Sequence, residues 1–177
     1  MRTLAFTAIA AVAAAIAAPA AAQTLSSPSW YGSVGYSNLS TEDSDISLDA
    51  VTGRVGARFN PYFGAEGELS IGVGEEEVLP GVDVNLNYDA AVYGVAAYPV
   101  TPNFELFGRV GYGTTELEAS GGGVTVAEDG DSLNYGVGAN YFFDGLNGVR
   151  ADWTRRDFQD DSNGEADVWT INYVRRF

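Results

Sequence analysis

The sequence predicts an all-β fold, an eight-stranded antiparallel up-and-down β-barrel whose strands cross a membrane. Eight segments alternate apolar and polar residues at every second position, the connections between them alternate between short and long, and aromatic residues gather at both ends of the apolar faces. A barrel with lipid outside needs this arrangement, because its tilted strands are about 9–11 residues long and must present one apolar face.

The first four predicted strands cover residues 30–37, 48–59, 62–73 and 85–98. Their apolar face is formed by Trp30, Val34, Tyr36, Val51, Val55, Ala57, Phe59, Phe63, Ala65, Leu69, Ile71, Val73, Leu86, Tyr88, Ala90, Val92 and Tyr98. Small, polar or charged residues occupy most of the opposite positions. Because strand side chains alternate between two faces, each segment has one apolar and one polar face.

The last four predicted strands cover residues 104–114, 132–143, 149–156 and 167–177. Their apolar face is formed by Phe104, Leu106, Val110, Tyr112, Leu133, Tyr135, Val137, Ala139, Tyr141, Val149, Ala151, Trp153, Trp169, Ile171, Tyr173 and Phe177. Parity alone does not say which face of the sheet lies inside the barrel.

The connections predict short periplasmic turns at 60–61, 99–103 and 144–148, and long extracellular loops at 38–47, 74–84, 115–131 and 157–166. The long loops hold 16 of the 24 acidic residues and no arginine. Aromatic residues flank each short turn, and a second group falls towards the long loops. Two such belts are expected where rings sit at both headgroup levels of a bilayer.

The first residues of the chain are typical of a secretory signal. Arg2 precedes an alanine-rich apolar run over residues 4–18, and small residues follow up to Ala22. This pattern predicts a signal peptide over residues 1–22, a short leader over 23–29 and a barrel domain over 30–177.

Composition excludes several classes of function. The chain has no Cys, no His and no Lys, its basic residues are 9 Arg, and its net charge is −15. No disulfide framework is possible, the commonest general base is absent, and the acidic balance argues against nucleic-acid binding. The sequence predicts no catalytic residue, metal site or cofactor.

Two weak motif matches do not change this prediction. Gly136 and Gly138 begin like a dinucleotide fingerprint, but Tyr141 stands where the third glycine belongs, so they are interpreted as small interior residues of a strand. Residues 160–165 are rich in acids but lack the ligand spacing of a calcium loop, so a solvated acidic loop is expected there.

Nearly all charged residues of the predicted strands share the polar face, and they predict a salt-bridge network inside the barrel. Its members are Arg54, Arg58, Glu66, Glu68, Asp89, Glu105, Arg109, Arg150, Asp152 and Arg156. If the second hairpin turns at Asn60-Pro61, Arg54 lies across from Glu66 and Glu68. An eight-stranded barrel is just wide enough for side chains to fill it, so this network would block the lumen.

The last strand resembles the C-terminal signature of small outer-membrane β-barrels of the OmpA/OmpX type, which the insertion machinery of that family reads. Trp169, Ile171, Tyr173 and the final Phe177 carry the resemblance, and Arg175 departs from it where the family has an apolar residue. Together with the signal peptide, the strands and the belts, the resemblance covers essentially all of the mature chain. The peptidoglycan-binding domain of OmpA-type proteins is expected to be absent.

The resemblance implies a non-enzymatic protein of the outer membrane of a Gram-negative bacterium, with a role in envelope integrity, structure or surface contact. It implies lipid and lipopolysaccharide around the barrel, barrel-assembly machinery and periplasmic chaperones during biogenesis, and a monomer. Arg155 lies near the outer rim, and its forked guanidinium suits lipid phosphates, so it is a candidate lipopolysaccharide contact.

Three alternatives stay open at this point. A narrow pore for small solutes would need a passage through the interior charges. A soluble periplasmic barrel of the lipocalin type would turn its apolar face inward. An envelope enzyme resembling a lipid A acylase or an omptin-type protease would need a catalytic His, which the chain lacks.

Overall fold

The computed structural model describes residues 28–41, 47–73, 75–79, 82–121, 124–159 and 164–177. The predicted signal peptide (residues 1–22), most of the leader and the acidic stretches 42–46 and 160–163 lie outside the described residues. The backbone, but not the side chains, is described for residue 41 and within residues 75–85 and 117–129.

The described chain folds into antiparallel strands only. They are β1 (Ser29–Thr41), β2 (Ser47–Arg58), β3 (Phe63–Gly72), β4 (Glu75–Leu79), β5 (Val82–Pro99), β6 (Phe104–Gly121), β7 (Val124–Phe142), β8 (Asn147–Phe158) and β9 (Glu165–Arg176). Over the residues with assigned structure, no helix is long and apolar enough to span a membrane.

The sheet closes on itself. Each strand from β1 to β3 and from β5 to β9 pairs with its neighbour, β1 pairs with β9, and β3 pairs with β5. The short β4 pairs with the same strand, β5, beyond the end of β3, so the two share one position in the barrel. The predicted eight-stranded antiparallel barrel is therefore confirmed.

The polar face lies inside and the apolar face outside. Along β8, Arg150, Asp152 and Arg156 are buried, whereas Val149 and Ala151 are exposed. A barrel with lipid around it needs this polarity, and a soluble lipocalin-type barrel needs the opposite one. The structure thus decides the question that residue parity left open.

Aromatic side chains form two belts on the outward face. The belt beside the short turns contains Trp30, Phe59, Tyr62, Phe63, Tyr98, Tyr141, Phe143, Tyr173 and Phe177. The belt towards the other end contains Tyr36, Tyr88, Tyr135 and Trp169. Between them the outward face carries Val, Leu and Ile side chains. Such belts are expected where rings sit at the two headgroup levels of a bilayer, with the short turns beyond one belt and the projecting strands beyond the other.

One side-chain oxygen closes each short turn. Asn60 Oδ1 accepts hydrogen bonds from the backbone N–H groups of Tyr62 and Phe63, both at 2.8 Å. Thr101 Oγ1 accepts from Phe104 N at 3.0 Å, and Asp144 Oδ1 accepts from Asn147 N at 2.6 Å. Short polar side chains favour turns because they satisfy the backbone donors locally.

A β-bulge in β5 corrects the predicted orientation of Leu86. The register of β5 against β6 shifts between Leu86 and Tyr88. The extra residue reverses the alternation, so Leu86 points inward and is only 3 % exposed, while Asn87 is exposed. The prediction that Leu86 belongs to the outward apolar face was wrong, because period-2 counting cannot register an inserted residue.

Strands β5, β6 and β7 continue through much of two segments expected to be loops. Pairing of β6 with β7 runs from Phe104 opposite Tyr141 to Gly121 opposite Val124. On the other side of β7, pairing with β8 stops at Ser132 opposite Phe158. The β6–β7 hairpin and the β4–β5 hairpin therefore extend the sheet beyond the outer belt.

Candidate functional site

The barrel interior holds a network of charged side chains at mid-height. Eight of the predicted interior residues form it: Arg54, Glu66, Glu68, Asp89, Arg109, Arg150, Asp152 and Arg156. All are buried. They come from β2, β3, β5, β6 and β8, and inward positions of these strands meet only because the barrel is closed.

Arg54 connects β2 to its neighbour and to the far side of the barrel. It lies directly opposite Glu68 in the β2–β3 register, and its Nε donates to Glu68 Oε2 at 2.5 Å. Its Nη1 and Nη2 donate to the two oxygens of Asp152 at 2.8 and 3.1 Å. The planar guanidinium thus serves two carboxylates on different strands.

Arg150 binds both carboxylate oxygens of Glu66 through its two terminal nitrogens, as Arg54 binds Asp152. Its Nη1 and Nη2 donate to Glu66 Oε2 and Oε1 at 2.5 and 3.1 Å, and its Nε donates to Asp152 at 2.9 Å. The Tyr31 hydroxyl donates to Glu66 at 2.8 Å. The Arg150 guanidinium also lies 4.1 Å from the ring centroid of Phe107.

Arg109 ties the carboxylates of this group together. Its Nη1 donates to Glu68 at 2.7 Å and to Glu66 at 3.1 Å, and its Nη2 donates to Asp152 at 3.1 Å. The guanidinium stacks 4.2 Å from the ring centroid of Tyr93. Such cation–π contacts strengthen where water is excluded.

Arg156 extends the network towards the outer mouth. Its Nη2 donates to Asp89 Oδ2 at 2.6 Å and to Glu68 at 3.3 Å, and its Nη1 also contacts Asp89. Thr115 Oγ1 donates to Asp89 at 3.0 Å. Asp89 is fully buried, so these donors replace its entire hydration shell.

The network is electrically balanced, since four guanidinium groups face four carboxylates. Buried charges are tolerable only when they are paired and hydrogen-bonded. Each member has several partners, although the Nε of Arg156 has none among the described residues. Charged side chains from several strands meet in the lumen. They occupy the space that the water of a pore would need.

The other two predicted interior residues, Arg58 and Glu105, form a separate cluster near the short turns. Arg58 Nη2 donates to Glu105 Oε1 at 2.7 Å, and Asn140 Nδ2 donates to the same oxygen at 2.9 Å. Arg176 Nη2 lies 3.4 Å from Glu105 Oε2, and its guanidinium lies 3.6 Å from the ring centroid of Phe142. The interior charges therefore form two groups, not one.

Apolar side chains fill the outer part of the lumen, which sequence reasoning missed. One cluster contains Leu39, Ala166 and Val168 with Phe158 against it, and another contains Leu48, Ala50 and Leu86. Leu39 and Leu48 have inward parity in their strands, which was the available signal. These clusters cover the charge network on its outer side.

The small residues of β7 make room inside the barrel. A Cβ on Gly138 would stand 2.5 Å from Phe107 Cζ, and one on Gly136 would stand 2.6 Å from Thr154 Oγ1. These two glycines are inward positions of a strand, so the interpretation of Gly136 and Gly138 as interior residues agrees with their position.

Arg155 lies on the outward face near the outer belt. Its Nε and Nη2 donate to the two oxygens of Asp167 at 2.9 and 3.0 Å, and its Nη1 donates to Glu165 at 2.9 Å. The residues of the proposed insertion signal, Trp169, Ile171, Tyr173 and Phe177, are all exposed. The first three project from the outward face of β9.

Comparison with known proteins identifies the family. Residues 8–177 match the sequence profile described as "Outer membrane protein beta-barrel domain". The chain belongs to this outer-membrane β-barrel family. As a member of the family, it lies in the outer membrane of a Gram-negative bacterium, with lipid and lipopolysaccharide around it. No curated protein matches the chain.

Solved outer-membrane barrels have the same fold. Ail, the attachment invasion locus protein of Yersinia pestis, matches with a TM-score of 0.64 at 16% identity, over 86% of this chain and 100% of Ail. Neisserial surface protein A matches with a TM-score of 0.65 at 11% identity, over 88% and 100%. OprG from Pseudomonas aeruginosa matches with a TM-score of 0.60 at 11% identity, over 86% and 97%.

Proposed function

We propose that this outer-membrane barrel is a non-enzymatic protein whose interior is structural and whose activity lies at the cell surface. The salt-bridge network and the apolar clusters occupy the lumen, which supports a scaffold and argues against the narrow pore. Acid-pair catalysis by Glu66 and Glu68 is unfavourable, because both carboxylates are sealed from solvent and held by arginines.

The observation that carries a surface role is the sheet that projects beyond the outer belt. Strand β7 pairs with β6 up to Val124, but its pairing with β8 begins only at Ser132. Gln159 N donates to Asp131 O at 2.9 Å, and over residues 124–130 no described strand lies on that side. Unpaired N–H and C=O groups along an edge are a template for an added strand.

The sequence of the projecting hairpin indicates the chemistry of a partner. Residues 115–131 include five acidic residues and no basic one. An extended, basic segment of a surface partner would pair with the edge of β7 and neutralise these acids. The Ail complex with the heparin analogue sucrose octasulfate concerns a ligand of the opposite charge, and the acids here favour a cationic ligand.

The experiment is selection of displayed random peptides on the refolded protein. We expect enrichment of extended, Lys- or Arg-rich sequences, lost in a variant in which residues 116–130 are replaced by a tight turn. The trimmed variant should keep the gel mobility shift between unboiled and boiled samples in SDS, which reports an intact barrel. Equal enrichment on both proteins would overturn the proposal.

The remaining inferences concern lipid and assembly. We propose that Arg155 contacts lipopolysaccharide phosphate while Asp167 and Glu165 hold its guanidinium in place. An Arg155→Ala protein with unchanged lipopolysaccharide affinity would refute this.

We further propose a monomer that is inserted by the barrel-assembly machinery with periplasmic chaperones, through the signal formed by Trp169, Ile171, Tyr173 and Phe177.

A further inference from the structure

The periplasmic mouth of the lumen contains a small cavity, at the opposite end from the projecting sheet. Its volume is about 30 Å³, and its lining includes Tyr31, Arg58, Glu105, Asn140 and Arg176. A cavity needs roughly 10–15 Å³ to hold one water molecule. The space therefore suits a single small ion or one or two waters.

The Arg58 guanidinium faces this cavity, and some of its hydrogen-bond donors have no acceptor among the described residues. Its Nη2 is bonded to Glu105, but Nε and Nη1 are buried and have no hydrogen-bond partner among the described residues. The Glu105 carboxylate already accepts from Arg58, Asn140 and Arg176. Buried charged donors are rarely left unpaired in native proteins, so a further acceptor is expected here.

The charge count of the lining favours an anion as that acceptor. Two guanidinium groups, Arg58 and Arg176, face one carboxylate, Glu105. The central network is balanced within itself and supplies no counter-charge. The Arg176 side chain is 36 % exposed and can be screened by water, whereas that of Arg58 is 13 % exposed. The uncompensated charge thus acts in a region of low dielectric constant.

Neighbouring rings hold the two guanidinium groups in position. Arg176 stacks 3.6 Å from the ring centroid of Phe142, and Arg58 lies 5.7 Å from that of Tyr31. Glu105 and the unpartnered Asn140 Oδ1 repel an anion, which places it on the Arg58 side of the cavity. We propose that this cavity binds one monovalent anion of halide size against the Arg58 guanidinium.

The decisive experiment is crystallography of the full refolded barrel grown in sodium bromide, with data collected at the bromine absorption edge. We expect an anomalous difference peak within hydrogen-bond distance of an Arg58 nitrogen. Density without an anomalous signal at that position would mean water and would overturn the proposal.

A solution measurement tests the same site without crystals. Urea unfolding midpoints are compared in sodium bromide and in sodium gluconate at equal ionic strength, because gluconate is too large for the cavity. Ligand binding to the folded state should raise the midpoint in bromide. Arg58→Gln should abolish the rise, and Arg155→Gln, which removes a charge outside the barrel, should retain it. An equal change of the unfolding midpoint in both variants would refute the site. If Arg58→Gln does not fold, the anomalous difference map of the bromide crystals decides.

Discussion

Arg150 and Glu66 lie on strands that are diametrically opposite in the barrel, and the guanidinium of Arg150 bridges the lumen with two hydrogen bonds of 2.5 and 3.1 Å. Around the closed sheet, β8 is the fourth strand from β3 in either direction. This pair, 84 residues apart in sequence, exists only when the barrel has closed.

The first prediction concerns the loss of one member of this pair. Glu66→Gln keeps the side-chain shape but leaves positive charge without compensation, so we expect the free energy of unfolding to fall by about 3–5 kcal/mol. Urea titration of the refolded protein, followed by tryptophan fluorescence, measures it. Asp167→Asn, the matched change in the partly buried outward pair with Arg155, should cost at most about 1 kcal/mol.

The double variant Glu66→Gln with Arg150→Met tests whether charge balance is the cause. Removing both charges should recover part of the loss, because an unpaired buried charge costs more than a missing pair. Losses that add up, when compared with the Arg150→Met single variant, would show that the two charges are not coupled and would contradict charge balance as the cause.

A second prediction tests which surface meets lipid. Val137 is 59 % exposed and lies between the two aromatic belts on β7. Val137→Arg should lower the free energy of unfolding in lipid vesicles by about 2–4 kcal/mol, whereas Asn87→Arg beside the outer belt on β5 should cost less than about 1 kcal/mol. Similar costs at both positions would be incompatible with a membrane boundary at the outer belt.

The third prediction uses the natural absence of Cys. If the bulge in β5 reverses the alternation, a Cys in place of Leu86 is buried and one in place of Asn87 is exposed. We expect Asn87→Cys to react rapidly with a water-soluble maleimide on intact cells and Leu86→Cys to stay protected until unfolding. The reverse pattern of labelling would show that side chains alternate regularly at Leu86 and Asn87 and that β5 has no bulge there.

The fourth prediction is a pH dependence at a periplasmic turn. Hydrogen bonds from the backbone and side chain of Asn147, and from the backbone of Leu146, hold the pKa of Asp144 below its usual value. A carboxylate with a lowered folded-state pKa stabilises the fold above its unfolded pKa of about 3.9, and this contribution is lost as the pH falls through the folded pKa. The unfolding midpoint of Asp144→Asn should therefore depend less on pH in that range, and an unchanged profile would contradict the assignment.

A fifth prediction concerns permeation. Because charged and apolar side chains occupy successive levels of the lumen, the refolded protein should show no steady conductance in a planar bilayer. The insertion of folded barrels must be verified by the mobility shift in SDS. Steady single-channel currents from verified barrels would favour the narrow pore over a closed scaffold.

Residue parity was sufficient to predict which charges share a face, because the strands that carry them alternate regularly at those positions. Arg54, Arg150 and Arg156 all lie inside, as their parity required. The pairing of Arg54 with Glu68 also followed from the sequence, since a short turn at Asn60 fixes the register of that hairpin.

Contacts between distant strands could not be predicted in the same way. Whether Arg150 meets Glu66 depends on strand tilt and on the stagger around the barrel, neither of which is encoded in one hairpin. The outer apolar clusters were missed because several of their members, such as Leu39 and Ala166, fall in segments predicted to be long loops, and Leu86 was assigned to the lipid-facing side. The bulge at Leu86 has no signal in a period-2 pattern.

The cross-lumen salt bridges also have a mechanical consequence. A thin barrel under lateral pressure would flatten by drawing two opposite walls together and pushing the other walls apart. Here Arg150, Arg54 and Arg156 join walls along several different diameters and chords, so any flattening stretches some of these bridges while it compresses others. The cross-section should therefore remain round when bilayer tension or thickness changes, and the projecting sheet would keep its position relative to the membrane.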